Sequence, residues 1–536
     1  MPAMGIIHQK DRRSGITYAY ESVSYWDKEK HQSRAHRRLI GRVSESGEVV
    51  PTDGRCSRKP DAVKRTRRRG PVPVTQIQRS FYGATWLLDQ IGEKLGIVGD
   101  LRACFPDDYR RLLSIVYYLI LGGNRAMMYF KYWALNHMHP YGEDISSQDS
   151  SRLFASISEE SVRSFARLQG RRRLEREYWA YDSTSISSYS ETLKQVKYGK
   201  NKESDRLPQI NLLLLFGEKS GLPFYYRKLS GNIPDVKTVN TLVKELDILG
   251  YGKVKFVMDR GFYSKANIDR LYRHHHKFIV AVGTGLSFVR KRIAEVRESI
   301  RDYGNHDSRY GIGCDSKTME WEYTQERPYK KDVISGSRRM YLHVYYSVQK
   351  AADEELELNA RLDGLREELL SGRRVDRHEK AYGQFFEVRE TPKRGITVKI
   401  KEDAVREARQ LHGFFALVSN EVKDPIEALG TYRGKDIVEK AFGNLKERLN
   451  CRRLLASSEE SLNGKLFVEF VALIYLAYIN RKMQEQGLYK EYTMEELLLE
   501  LESIQSVCEP GRAPIVCEVL EKQRNLYAAL DVMPPQ

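Results

Sequence analysis

The pattern of apolar and polar positions in the middle of the chain predicts a mixed α/β sheet. The stretch at residues 210–216 is apolar at every position but one, as is typical of a strand buried on both faces. After the third strand, Pro234 and Asp235 open a segment with apolar residues at helical spacing. A meander of three strands followed by helix, strand, helix and strand makes a mixed sheet. The strands are expected at residues 178–185, 210–216, 223–229, 254–258 and 278–282.

A long interruption follows this pattern before it resumes. Residues 285–411 are too many for a loop, so we expect an inserted subdomain. It contains a β-like stretch at 340–347 and a charged helix at 353–370. The core then resumes with a strand and a helix at 414–419 and 436–449. The catalytic part would therefore occupy residues 176–284 and 412–485, with a helical tail at 486–536.

The region before the sheet divides by pattern into three parts. Residues 1–50 predict a small β unit with a basic stretch between its strands, and residues 75–175 predict helices. Those helices fit either a helix-turn-helix type DNA-binding region or a plain bundle. Between them, residues 51–74 form a linker with eight lysines and arginines against two aspartates. Such a linker is either a solvated tether or a segment that follows phosphates.

Charge favours a polyanionic partner. Lysine and arginine number 89 against 72 aspartates and glutamates, a net charge of +17. Nucleic acid is the leading interpretation, ahead of a membrane surface or a solubility effect. No apolar run reaches the roughly 18 residues of a membrane span, and the start lacks a secretory pattern. We expect a cytoplasmic protein with no membrane partner.

Cysteine and histidine do not form a metal-binding pattern. The six cysteines lie far apart and none forms a C-x-x-C pair, so neither a zinc site nor a disulfide framework is indicated. His274, His275 and His276 are consecutive, so they cannot all face one ion on a helix. We expect them to be solvated.

Two aspartates follow apolar stretches of predicted strands. Asp182 lies in Tyr-Asp-Ser-Thr-Ser, at the expected end of the first core strand, and Asp259 follows the fourth. An ionised carboxylate there is costly unless it is solvated or bound, and α/β folds place sites at strand ends. Each alone is more often a turn or cap residue. Their shared position favours a joint site.

A glutamate on the later helix is a third candidate. Glu439 shares one helical stripe with Lys435 and Lys446, apart from the apolar face. From the pattern alone, a solvated charged face with an ion pair between Lys435 and Glu439 is the leading interpretation.

These residues together resemble the insertion-sequence DDE transposases, in the cut-and-paste group with the Tyr-Arg-Glu-Lys signature. Asp182 matches the first aspartate, and Asp259 matches the second within Asp-Arg-Gly-Phe. Glu439 matches the glutamate, with Tyr432 and Lys446 each seven positions away. Lys435 stands where the signature has arginine, which removes the bidentate fork but keeps a positive charge.

The resemblance implies a ribonuclease H-like mixed sheet with a β-rich insertion at 285–411, preceded by the small β unit and the helical region. It implies that Asp182, Asp259 and Glu439 hold two Mg²⁺ ions, with Mn²⁺ as a possible substitute. The implied partners are the terminal inverted repeats of a mobile element and target DNA, bound by a homodimer. The predicted DNA contacts are Tyr432, Arg433, Lys435, Lys446, Arg260, Arg67, Arg68 and Arg69.

Two other functions remain open at this point. One is a metal-dependent nuclease of the same fold that cuts DNA without strand transfer, and the other is a DNA-binding regulator with a vestigial site. Strand transfer in vitro separates the first from a transposase, and metal-dependent cleavage of the cognate end excludes the second.

Overall fold

The computed structural model divides the chain into two compact units: residues 1–74 with 510–512, and residues 75–509 with 513–536. Each is described by itself. The predicted basic linker, including Arg67, Arg68 and Arg69, lies almost wholly outside the described residues. The described residues are 4–12, 14–44, 46–51, 77–123, 125–172, 177–190, 192–199, 206–251, 253–326, 333–391, 395–449, 458–510 and 512–536.

The first unit contains an antiparallel sheet of four strands in chain order. The second and third strands form a long hairpin, and the third runs through basic residues that the sequence predicted to lie between strands. Backbone pairing holds this strand although most of its side chains are exposed, so it has no apolar alternation to detect. The strands are β1 (Met4–Lys10), β2 (Thr17–Asp27), β3 (Gln32–Val43) and β4 (Val49–Val50).

The second unit begins with a short strand and continues with helices. The last of these helices starts at Ser158, whose hydroxyl accepts a hydrogen bond from the Ser161 N–H at 3.1 Å. The elements are β5 (Gln78–Phe81), α1 (Gly83–Lys94), α2 (Ile97–Cys104), α3 (Tyr109–Leu121), α4 (Phe130–Ala134), α5 (Ser147–Ser156) and α6 (Glu159–Arg171).

The mixed sheet predicted in the middle of the chain is confirmed. Three antiparallel strands form a meander. A fourth strand pairs in parallel with the first strand of the meander, and a fifth pairs in parallel with the fourth. The helix between them buries Val239, Leu242 and Leu246 and ends at Gly250, whose φ of +80° suits glycine. The elements are β6 (Trp179–Ser187), β7 (Gln209–Gly217), β8 (Pro223–Ser230), α7 (Asp235–Leu249), β9 (Lys255–Met258), α8 (Lys265–Arg273) and β10 (Lys277–Val282).

The expected insertion is built from both strands and helices. Its helical half packs around Leu358, Leu362 and Phe385 as a core of its own. The elements are α9 (Ser287–Val296), β11 (His306–Asp307), β12 (Ile312–Glu326), β13 (Val333–Tyr346), α10 (Val348–Leu370), α11 (Glu379–Phe385), β14 (Phe386–Thr391), β15 (Gly395–Ile400) and α12 (Glu402–Arg409).

Two long strands of the predicted insertion, β12 and β13, belong to the central sheet, whereas β14 and β15 form a two-stranded sheet of their own. The next strand, β16 (Phe414–Ser419), lies between β10 and β13 and pairs antiparallel with both. The β12–β13 hairpin therefore extends the central sheet, because β16 would otherwise leave an unpaired edge. The order in this nine-stranded sheet is β11-β12-β13-β16-β10-β9-β6-β7-β8.

The remaining elements cover the sheet and complete the core. The predicted helical tail also contains two short strands. One of them pairs with β5, and together the three strands form a small sheet. The helices of the tail share a hydrophobic core with α1 and α3. The elements are α13 (Pro425–Gly434), α14 (Asp436–Glu447), α15 (Glu459–Glu485), α16 (Met494–Glu502), β17 (Gln505–Cys508), β18 (Ile515–Val516) and α17 (Glu521–Ala529).

The 27-residue helix α15 is the central helix of this core. It is buried on nearly all sides, and Gly464 lets the backbone of Phe154 in α5 pack directly against it. Among the described residues it is the one helix long and apolar enough to cross a membrane, with 89% of its most apolar window buried inside the protein. Such burial is typical of a core helix.

Candidate active site

The parallel pairing of β6 with β9 places two aspartates side by side. The paired positions are Trp179 with Phe256 and, at the end, Tyr181 with Met258. Asp182 and Asp259 are therefore the next residues on two neighbouring strands, whose backbones lie about 5 Å apart. The structure thus brings the first two predicted ligands together.

Both aspartates also belong to the same face of the sheet. Side chains alternate along a strand, so Asp182 shares a face with Ala180, and Asp259 shares a face with Val257. Ala180 packs in the core that contains Val438 of α14, while Val257 packs with residues of α13. These two helices therefore cover the face that carries both carboxylates.

The expectation that Asp182 ends its strand is wrong. β6 continues to Ser187, and Asp182 pairs with Leu214 in the strand interior, where it is buried. The edge arises because β9 stops at Met258 while β6 goes on with β7 as its partner. The position of Asp182 at this edge depends on where β9 ends, so the sequence of β6 alone does not reveal it.

Lys435 lies between the aspartates and the glutamate. It joins the end of α13 to the start of α14, and its Nζ is 2.9 Å from Asp259 Oδ2 and 3.5 Å from Glu439 Oε1. Its side chain is only 4% exposed, so it is not part of a solvated stripe. Burial by itself lowers the pKa of Lys435, but Asp259, with Asp182 and Glu439, raises it above its ordinary value.

Tyr432 contacts the same aspartate from one turn earlier. Its hydroxyl donates a hydrogen bond to Asp259 Oδ1 at 2.6 Å. Burial, followed by the negative charge of Asp259, raises the pKa of Tyr432, so the phenol keeps its proton and remains a donor. Tyr432 and Lys435 each have a carboxylate partner here, and their role in holding DNA stays a prediction.

The other predicted DNA contacts surround this group at greater exposure. Arg260 follows Asp259 directly and is exposed. Arg433 is also exposed, and its guanidinium lies 4.6 Å from the centre of the Tyr310 ring. Lys446 lies near the end of α14, seven residues beyond Glu439, or about 10 Å along the helix axis.

The three carboxylates have the oxygen ligands that a hard cation prefers, but they are not close enough together to coordinate one ion. Within the described ranges, no three side chains of the histidine, cysteine, aspartate or glutamate type are grouped closely enough to hold a metal ion. Glu439 is 63% exposed and reaches Asp259 only through the Lys435 ammonium. That ammonium nevertheless shows that the space between Asp259 and Glu439 accepts positive charge, which carboxylate oxygens also offer to Mg²⁺.

The family to which this site belongs follows from comparison with known proteins. The family described as transposase DDE domain matches residues 175–475, which is more than half of the chain and includes all three acidic residues. The chain belongs to the DDE transposases. No curated protein matches this transposase at a significant level.

Among solved structures, the transposase is similar to the cryo-EM structure of a piggyBac transposase synaptic complex with hairpin DNA. The identity is 12% and the TM-score is 0.34, over 77% of this chain and 70% of that chain. A likeness of this degree is too distant to bear on the fold or the chemistry.

One contact beside the transposase site was not predicted as a functional one. The Ser183 hydroxyl donates a hydrogen bond to Asp235 Oδ1 at 2.6 Å, which ties the start of α7 to the strand beside Asp182. The structure places Asp235 on the opposite face, where it anchors β6.

Replacing Tyr432 with phenylalanine tests the hydrogen bond to Asp259 in the transposase. We expect metal-dependent DNA cleavage to fall about tenfold, because one charge-assisted hydrogen bond contributes about 1.5–3 kcal/mol and only part of it acts on the carboxylate's orientation. Cleavage should be measured in single turnover on pre-bound DNA. Tyr310→Phe, nearby in the described structure, is the matched control, and equal rates for both variants would contradict the role of Tyr432.

Proposed function

We propose that this transposase cleaves the ends of its own mobile element and joins the resulting 3′-hydroxyl to DNA by two-metal-ion catalysis. The proposal rests on the adjacent positions of Asp182 and Asp259 at the end of the β6–β9 pairing, inside the matched residues. The strand order around these residues supports a ribonuclease H-like catalytic fold. The spacing of Tyr432, Glu439 and Lys446 supports the group with the Tyr-Arg-Glu-Lys signature.

The residues of the site would bind two Mg²⁺ ions, with Mn²⁺ as a substitute. Bound divalent ions supply activation of a water or 3′-hydroxyl and stabilise the leaving oxygen. In this proposal Asp182, Asp259 and Glu439 provide the oxygen ligands, and Tyr432 keeps Asp259 oriented. Lys435 balances the carboxylates' charge and can shift toward a backbone phosphate as a point charge.

The DNA partner would be the terminal inverted repeats of the element, followed by target DNA. Arg260, Arg433 and Lys446 lie around the acidic group and would position the backbone rather than specify sequence. Arg67, Arg68 and Arg69 would add contacts from the basic linker. A homodimer would bridge the two ends, in the cytoplasm of the cell that carries the element.

Cleavage and joining of DNA that carries the terminal repeats test the proposed function. We expect cleavage in Mg²⁺ or Mn²⁺, none in a chelator, and covalent transfer of the 3′-end to a second DNA. Metal-dependent cleavage without transfer would favour a nuclease. Tight binding without cleavage in any divalent ion would favour a DNA-binding regulator, and either result would overturn the proposal.

A further inference from the structure

A second cluster of positive charge lies at the edge of the central sheet opposite to Asp259. There β9 and β10 begin and the β12–β13 hairpin passes beside them, which leaves a cleft of about 500 Å³. We call it the basic cleft. The basic residues that line it are Lys253, His275, His276, Lys277, Arg338 and Arg339.

The cations of the basic cleft are not neutralised. Within the described residues, Lys253, Lys277, Arg338 and Arg339 form no ion pair with a carboxylate, and all four are exposed. The nearest carboxylate by strand register is Glu320, opposite Arg339, and it accepts a hydrogen bond from Ser337 instead. Among the described residues that line the cleft, none is acidic. A concave surface with one sign of charge concentrates the field and favours an anionic ligand.

A buried histidine forms part of the cleft wall. His276 was expected to be solvated, but the structure buries it completely because the chain turns from α8 into β10 there. The Val254 N–H donates to its Nδ1 at 3.4 Å, and burial lowers the pKa of His276 to about 4. The ring is therefore neutral near pH 7, with its proton on Nε2, and the positive charge comes from lysine and arginine.

Positive charge continues beyond the cleft along the end of α8. Burial, together with the neighbouring charge of Arg273, lowers the pKa of Arg270. Burial is the larger cause, and the Arg273 charge adds to it. The carboxylate of Asp247 lies 3.5 Å from Nδ1 of His274, so it pairs with that ring rather than with the cations of the cleft.

The cleft is separate from the acidic site. Lys255 begins β9 and Asp259 follows its end, so four strand residues, or about 13 Å, separate the two edges. Arg338 and Arg339 are held on β13 by its pairing with β12, where they lie opposite Trp321 and Glu320. A phosphate held in the cleft is therefore not the phosphate at the acidic residues.

We propose that the basic cleft binds the sugar–phosphate backbone of duplex DNA at a segment distinct from the one that is cleaved. This inference rests on the proposed function for its choice of polyanion. The contacts are to phosphates and carry no sequence preference. The cleft thus holds a second stretch of DNA at the edge of the sheet opposite to the acidic residues.

The salt dependence of binding to a short mixed-sequence duplex tests the cleft. A variant with Lys277→Ala, Arg338→Ala and Arg339→Ala removes three phosphate contacts. Each contact contributes about 0.9 to the slope of log K against log salt, so the slope should fall by about two to three. The matched control is Arg361→Ala, Arg366→Ala and Lys380→Ala, which removes the same charge from exposed positions on α10 and α11. Its slope should match that of the unmodified protein.

The outcomes separate the cleft from the proposed function. If the unmodified protein binds the duplex and the cleft variant keeps the same slope, the cleft inference is wrong while the DNA partner stands. If the unmodified protein binds no duplex at any salt concentration, both fail. Equal slope losses in the cleft and control variants would show a general charge effect and would also overturn the cleft.

Chemical protection provides a measurement that needs no variant. Saturating duplex should slow acylation of the Lys253 and Lys277 amines severalfold, as read by mass spectrometry, and leave Lys380 unchanged. Equal reactivity of Lys253 and Lys277 with and without bound duplex would overturn the inference, even if the triple variant failed to fold.

Discussion

Replacing Asp259 with asparagine is expected to reduce DNA cleavage about a thousandfold while binding of the DNA end changes little. The substitution keeps the shape and the hydrogen bond from Tyr432 but removes the charge that a divalent ion requires. Loss of several kcal/mol of transition-state stabilisation corresponds to about three powers of ten. Asp182→Asn and Glu439→Gln should behave alike, because phosphate contacts come from other side chains.

The measurement is single-turnover cleavage in Mg²⁺ together with a binding isotherm for the same DNA. Asp436→Asn is the control for Glu439→Gln, since it lies on the same helix, is exposed and should cleave normally. Asp259→Cys adds a sharper test, because a thiolate is a poor ligand for Mg²⁺ and a better one for Mn²⁺. If Asp259→Cys were equally inactive in both ions, or if Asp259→Asn cleaved normally, Asp259 would not be a metal ligand.

Replacing Lys435 with methionine is expected to destabilise the protein by about 1–3 kcal/mol in the absence of divalent ions. The change removes the cation 2.9 Å from Asp259 and leaves two adjacent carboxylates without it. A fully buried pair would lose more, but Asp259 is 36% exposed and Glu439 63%, so water screens part of the effect. Added Mg²⁺ should restore part of the loss, because it supplies the missing positive charge.

Thermal unfolding with a chelator and with Mg²⁺ measures both parts of this expectation. The rise in the midpoint on adding Mg²⁺ should be larger for Lys435→Met than for the unmodified protein. Lys440→Met is the matched control, because Lys440 is exposed on the same helix and has no described carboxylate partner. If Lys435→Met were as stable as Lys440→Met in chelator, Lys435 would not act as the counter-ion of the acidic group.

The central sheet was predictable because its pattern is local. The apolar run in β7 and the helical spacing in α7 are each complete within one segment, and both elements formed where expected. The pairing of β13 with β16 was not predictable, because it joins segments about 70 residues apart and leaves no local signal. The full length of the exposed strand β3 was not predicted for a similar reason, because backbone hydrogen bonds rather than an apolar face define this strand.

The acidic residues were predicted from motif and order, but their neighbours were not. Strand register places Asp182 beside Asp259, while the buried position of Lys435 depends on how α13 meets α14 over the sheet. Helical spacing treated Lys435 and Glu439 as one stripe and missed the break between the two helices. His276 was misjudged in the same way, because its burial depends on a turn between α8 and β10.

The pairing of β5 with β17 sets the timing of folding in the cell. Gln505 lies 424 positions after Phe81, so the whole intervening chain must be translated before these strands can meet. At roughly 5–20 residues per second, that takes about 20 to 85 s. During that time the apolar surfaces of the early helices, which later pack against α16 and α17, are exposed to water. Nascent chains would therefore depend on chaperones, and truncated products would be poorly folded and readily degraded.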